Sequence, residues 1–204
     1  KGVVGWIDLL NPSIDKDIEA YKEQKIVKGF RHILQGAEKG FMLQPNFIKG
    51  LKQLSKQHYT YDLLIYANQI QEAIELIKSV EDLPIVLDHI AKPSIKTKSM
   101  QDWEKDIRAL AKYPNLYCKI SGMATEADWT RWKAEDLKPY LDIVVEAFGV
   151  DRLLFGSDWP VCLVASSYER WLNTIKDYFK EFSSTEQEKI FALNCESFYT
   201  LEKA

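Results

Sequence analysis

The chain has 204 residues, enough for one domain with a sizeable core, and its 46% hydrophobic and 28% charged content is that of an ordinary globular domain. A formal net charge of −3 with no basic stripe speaks against nucleic acid as a partner. No run approaches the ~20 apolar residues of a membrane helix, no stretch reads as a secretory leader, and Cys118, Cys162 and Cys195, odd in number and without metal-site spacing, read as reduced thiols of a cytoplasmic protein.

In chain order, strand-like and helix-like stretches alternate with no low-complexity linker. Val3 to Leu9 reads as a first strand, followed by Asn11-Pro12 turn chemistry and a polar helix from Ile14 to Gln24. A second strand runs from Ile26 to Leu34, and Phe47, Leu51 and Leu54 then recur at helical spacing behind Pro45. Tyr59 to Tyr66 is the next strand, Ile70, Ala73, Ile74 and Ile77 form a helical stripe, and Leu83-Pro84 introduces the strand Ile85 to Ile90. Ser99 with Asp102 signals the start of a helix carrying Trp103, Ile107, Leu110 and Ala111. Leu116 to Ser121 is a strand closed by Gly122, and a helix bearing Leu137, Leu141, Val144 and Phe148 stops at Gly149, read as a left-handed cap. After a strand beginning at Arg152, Trp171, Ile175, Tyr178 and Phe182 form one stripe, and Ser184 with Gln187 opens a last helical segment.

Six strands, each followed by a helix, imply an α/β fold of parallel strands joined by right-handed crossovers. A doubly wound open sheet or part of a TIM (β/α)8 barrel would fit. The first strand leads into Leu9-Leu10-Asn11-Pro12, with no Gly-rich phosphate fingerprint there or elsewhere, which disfavours the nucleotide-binding sheet. A barrel typically takes ~250 residues. The expectation is therefore a single barrel domain over 1–204 holding the last six β/α units, the first two strands preceding Lys1.

The polar residues fall where a barrel assembles its site. Asp62, His89, Lys119 and Asp158 lie on or at the carboxyl ends of separate strands, with Arg31 and His32 on another. Several ionisable groups at successive strand ends are costly to bury without a task. Asp158 either points inward, with room left beneath it by Gly156, or caps the following turn. Around His89, alternation would turn Ile85 and Leu87 inward and Asp88 toward the helices. Arg31 is favoured over His32 for the inward position because Gly29 shares its face and leaves space beneath; His32 is read as helix-facing and His58 as a solvated surface residue.

Phe30-Arg31-His32, Tyr61-Asp62-Leu63-Leu64, Leu87-Asp88-His89-Ile90-Ala91-Lys92-Pro93, Cys118-Lys119-Ile120-Ser121-Gly122 and Phe155-Gly156-Ser157-Asp158-Trp159-Pro160-Val161-Cys162 occur here in one order. Together they resemble the amidohydrolase superfamily, in the amidohydrolase-related branch that includes sugar-lactone hydrolases of the fuconolactone and rhamnonolactone type. The resemblance runs along essentially the whole chain. It implies a barrel of the metal-dependent hydrolase type that opens a small-molecule sugar lactone, with Asp158 activating the attacking water and His89 binding a metal or the substrate carbonyl. Arg31 and Lys119, and less directly Asp62, would hold substrate oxygens. Trp159 and Trp132 either stack on the apolar face of a sugar ring or serve as ordinary strand-end packing.

One departure stands out. The family pattern begins with a His-x-His pair, and this sequence, whose only histidines are His32, His58 and His89, contains none. The resemblance therefore implies either one divalent ion such as zinc, held by His89 and Asp158 with an upstream His-x-His pair, or a metal-independent site, since branch members differ. Partners would be the lactone and, for an incomplete barrel with exposed edges, a second copy of the chain, with neither nucleic acid nor membrane. Rival readings are an amidohydrolase-type decarboxylase, an inactive barrel serving as a binding or assembly partner, and a self-contained open-sheet module.

Overall fold

The computed structural model describes residues 1–202. Six strands, β1 (Val3–Gly5), β2 (Val27–Ile33), β3 (Thr60–Leu64), β4 (Ile85–Leu87), β5 (Leu116–Ile120) and β6 (Leu153–Phe155), form one sheet in the order β1-β2-β3-β4-β5-β6. Every neighbouring pair is parallel. A doubly wound sheet reverses its strand order at a switch point. This one does not, so successive right-handed crossovers put the helices on one face, as in a barrel.

The helices are α1 (Ile14–Glu19), α2 (Pro45–Lys56), α3 (Ile70–Ser79), α4 (Gln101–Leu110), the short α5 (Met123–Glu126), α6 (Ala134–Phe148), α7 (Tyr168–Phe179), α8 (Ser184–Glu188) and α9 (Asn194–Phe198). The predicted stripes become the core: Phe47, Leu51 and Leu54 of α2, Ile70, Ala73 and Ile77 of α3, and Trp171 and Ile175 of α7 are buried against the helix-facing side chains of the sheet. Each such Leu, Ile or Phe contributes about 1.5–3 kcal/mol on burial. Along β2 to β6 that face carries Phe30, Tyr61, Leu63, Ile85, Leu87, Leu116, Cys118, Ile120 and Leu153. His32 joins it as expected, its ring 5.4 Å from that of Phe41 and 5.6 Å from that of Phe47.

The opposite face is polar toward the carboxyl ends of the strands. Strands two apart in a sheet lie ~9.5 Å from each other. Arg31 Nη1 of β2 nevertheless reaches Asp88 Oδ2 at the end of β4 at 3.3 Å, so side chains converge on a concave surface. A second apolar cluster closes this face at its other end, where Phe198 and Tyr199 at the end of α9 pack on Val86 and Leu154, with Val4 and Tyr117 at the margin.

Several local expectations are corrected. β1 ends at Gly5, not Leu9, and α1 at Glu19, not Gln24. The capping box of the last helical segment belongs to Ser183 and Glu186, one residue earlier than predicted, and α4 starts after Met100 with no side-chain cap from Ser99. Gly149 does have φ 67°, but its ψ of 162° is an extended turn out of α6 and not a left-handed cap.

β4 differs most. It stops at Leu87, and His89, Ile90, Ala91 and Lys92 follow with φ between 47° and 59°. A left-handed residue other than glycine costs roughly 1–2 kcal/mol. Four in a row persist because Lys92 N donates to His89 O to close the turn and two tertiary contacts hold the loop: the Trp103 indole N–H donates to Ile90 O, and Lys92 pairs with Glu126. Strict alternation through His89 therefore fails. Ile85 and Leu87 face the helices and Asp88 faces the concave side, the reverse of the expectation.

Candidate active site

A cleft of about 460 Å3 opens on the concave face, and Arg31, Asp88, His89, Lys119, Asp158 and Trp159 are among the residues that line it. The ends of β2, β4, β5 and β6 bring four of the five strand-end positions to it, and β1 adds Val3 and Val4. Asp62 lies beneath this lining and meets it through Lys119. Trp132 does not belong to the site: it is 2% exposed, its indole N–H donates to Ala165 O, and the Arg170 guanidinium sits 3.8 Å from its ring centroid. Trp159, 65% exposed, stands at the mouth.

The deepest layer is a charge network. The Lys119 ammonium contacts Asp62 Oδ2 and lies 2.9 Å from Asp88 Oδ1, while Arg31 takes Asp88 Oδ2. The Tyr199 hydroxyl reaches both oxygens of Asp62 at 2.9 Å. Burial pushes the Asp62 carboxyl up to about 6, against the opposing pull of Lys119. Burial acts on Asp88 in the same sense, but Lys119, His89 and Arg31 outweigh it and hold this carboxyl below its usual range. Burial alone would lower the Lys119 ammonium; the two carboxylates instead raise it well above its usual value and keep it charged. The hollow imagined beneath Arg31 is filled, since a Cβ on Gly29 would lie 2.1 Å from Thr60 Oγ1.

Above the network sit His89 and Asp158, both in left-handed backbone conformations. The Asp158 turn is closed by Cys162 N donating to Asp158 O at 2.8 Å, but its side chain points into the cleft and does not cap that turn. His89 Nε2 lies 3.4 Å from Asp158 Oδ1, and Asp158 Oδ2 is buried with no hydrogen-bond partner among the described residues. Burial lowers the His89 pKa in spite of Asp88 and Asp158, which favours the neutral ring. On its other side Nδ1 meets Ser121 Oγ at 2.7 Å. The room expected at Gly156 goes to this serine: a Cβ there would sit 3.0 Å from Ser121 Cβ. Gly122, at φ 61°, lets the backbone pass where a Cβ would lie 2.8 Å from His89 Cβ and Cγ.

Among the described residues no group of three or more His, Cys, Asp or Glu is placed to hold a metal. His89 and Asp158, with the unpartnered Oδ2, supply two donors, whereas zinc takes four ligands, at least three of them from protein even in an open catalytic site. These residues do not by themselves make a metal site.

Three residues of this arrangement are not marked by the sequence pattern. Asp88 was placed on the wrong face because Ile85-Val86-Leu87 is apolar on both sides and carries no parity signal. Ser121 shares the parity of Lys119 and could have been found from it. Tyr199 is 137 residues from Asp62, and no local pattern marks it.

Comparison with known proteins agrees with this fold. The amidohydrolase family profile matches residues 1–201. An L-fucono-1,5-lactonase of Burkholderia multivorans is 37% identical over 187 residues, 83% of this chain and 63% of that protein. An L-rhamnono-gamma-lactonase of Scheffersomyces stipitis is 25% identical over 88% of this chain and 60% of its own length. The chain thus spans less than two thirds of both curated relatives. The crystal structure of an amidohydrolase from Burkholderia multivorans with bound zinc superposes with a TM-score of 0.94 at 32% identity, covering 98% of this chain and 74% of the other. A 2,6-dihydroxybenzoate decarboxylase, at 14% identity and a TM-score of 0.64, shares the fold alone. With an unbroken parallel sheet, a strand-end site and a family match along nearly its whole length, the chain belongs to the amidohydrolase family.

Proposed function

We propose that this protein hydrolyses the ester ring of a sugar-acid lactone, with Asp158 as general base. The observation that carries the reading is the Asp158 carboxylate, an acceptor-only group lining the cleft beside His89 with one oxygen buried and unpartnered. The lactonase names of the two curated relatives support the substrate class.

A lactone carbonyl is a weak electrophile at neutral pH, so the site has to polarise its oxygen and deprotonate water. Asp158 takes a proton as the water oxygen bonds to the carbonyl carbon. The carbonyl π pair moves onto oxygen, where the His89 Nε2–H and the half-exposed Arg31 guanidinium meet the charge. Collapse breaks the ring C–O bond, and the departing oxygen takes the proton back from Asp158, leaving an open-chain hydroxy acid. Lys119, held between Asp62 and Asp88 in the lining of the cleft, offers its ammonium to a substrate hydroxyl. Asp62, whose oxygens are occupied by Lys119 and Tyr199, serves the substrate through Lys119. Trp159 offers a ring face at the mouth for the apolar side of a sugar.

The test is a panel of five- and six-membered sugar lactones assayed by acid release, alongside hydroxybenzoates assayed for carbon dioxide. Ring opening with kcat/KM above about 10^4 M−1 s−1 is expected. Carbon dioxide release with no lactone opened would overturn the proposal in favour of a decarboxylase.

A further inference from the structure

We propose that Ser121 is the positioning residue of His89, its hydroxyl donating to Nδ1 and so keeping the ring proton on Nε2, where it faces Asp158 and the cleft. The assignment follows from what each partner can do. A carboxylate only accepts, so the 3.4 Å approach of Asp158 Oδ1 favours the hydrogen on Nε2. In a neutral imidazole Nδ1 is then a bare acceptor, and the atom opposite it at 2.7 Å has to donate. Ser121 Oγ can, and the residue is 1% exposed, with no other side-chain bond among the described residues.

The surroundings are shaped to this contact. Gly156 leaves the volume that Ser121 fills, and Gly122 leaves the volume beside the His89 ring. The left-handed backbone at His89, φ 54°, presents the ring to both partners. Nothing on His89's own loop supplies the Nδ1 partner; it comes from the end of β5, 32 residues away. The consequence is a histidine preset as a hydrogen-bond donor toward the cleft.

This inference rests on the lactonase reading only for its kinetic consequence, and its first readout is independent of turnover. In the metal-chelated intact protein, labelled with 15N-histidine and assigned by comparison with His89→Gln, the ring shifts at pH 8 should report an Nε2–H tautomer. Ser121→Ala should convert this signature to a mixture of tautomers, and kcat should fall roughly 10–100-fold with KM nearly unchanged. Ser121→Cys, a weaker donor of similar shape, should lie between the two. Gly156→Ala, which keeps the hydroxyl but crowds Ser121, should shift the His89 signals in the same direction as Ser121→Ala. An Nδ1–H tautomer in the wild type, or ring shifts in Ser121→Ala identical to the wild type, would overturn the proposal whatever the kinetics. Failure to open any lactone while the Nε2–H signature depends on Ser121 would count against the proposed activity and leave this assignment standing.

Discussion

Replacing Lys119 by Met tests the charge network at its centre. The ammonium is held between carboxylates of Asp62 and Asp88 that are 2% and 1% exposed. Removing one partner of a buried ion pair costs about 3–5 kcal/mol, because the charge left behind has lost its compensation. Asp88 keeps Arg31, so the loss falls mainly on Asp62. The sign of the pH dependence follows from that carboxyl. Its folded pKa of about 6 is above the ordinary value, so the folded state binds its proton more tightly, and stability falls as pH rises from about 4 through 6. Without Lys119 the folded pKa climbs further and the penalty keeps growing beyond pH 6. Over the two units to pH 8, at ~1.36 kcal/mol each, this adds roughly 2.7 kcal/mol. Urea unfolding followed by circular dichroism should therefore give Lys119→Met a loss of ~3–5 kcal/mol at pH 8 that shrinks by about 2–3 kcal/mol at pH 5. The double variant Lys119→Met/Asp62→Asn should lose the pH-dependent part. A cost below ~1 kcal/mol, or one equal at both pH values, would refute the clamp.

Other substitutions separate packing from chemistry. Gly122→Ala forces a side chain into the left-handed region and against the His89 ring; ~1–2 kcal/mol of backbone cost plus ~1–3 of overpacking should lower Tm in calorimetry, with turnover falling further as the ring moves. Tyr199→Phe removes a hydrogen bond to a buried carboxylate and should cost about 1.5–3 kcal/mol by chemical denaturation. Trp159→Ala should leave Tm unchanged and raise KM for a lactone roughly 2–10-fold, the equivalent of ~0.5–1.5 kcal/mol of ring contact. Trp132→Ala should do the opposite, unfolding earlier with KM unmoved, because that ring is buried against Arg170 away from the cleft.

Much of this architecture was legible in the residues. The alternation of strands with helical stripes such as Phe47, Leu51 and Leu54 gave the element order, since burial on one helix face leaves a periodic trace. Acids and bases at strand ends marked Arg31, Asp62, His89, Lys119 and Asp158, and the fold brings them to one concave surface. What the pattern could not carry was local backbone geometry. His89 to Lys92 contain no glycine, and their left-handed run is imposed by Trp103 and Glu126 from other elements. The two glycines thought to leave empty room instead admit neighbours, Thr60 at Gly29 and Ser121 at Gly156, because a missing Cβ in a packed interior is an invitation to another side chain. Tyr199 shows the same limit at long range, a contact fixed only once α9 closes the second apolar cluster.

The central claim is that Asp158 is the base that activates water, and Asp158→Asn tests it most directly. The amide keeps the side chain's shape and cannot accept the water proton. On the best lactone of the panel, kcat/KM should fall on the order of 10^2–10^4-fold while Tm stays within about 2 °C of the wild type. Retention of most of the lactonase activity, in a variant that folds normally, would contradict the account and remove Asp158 from the role of base.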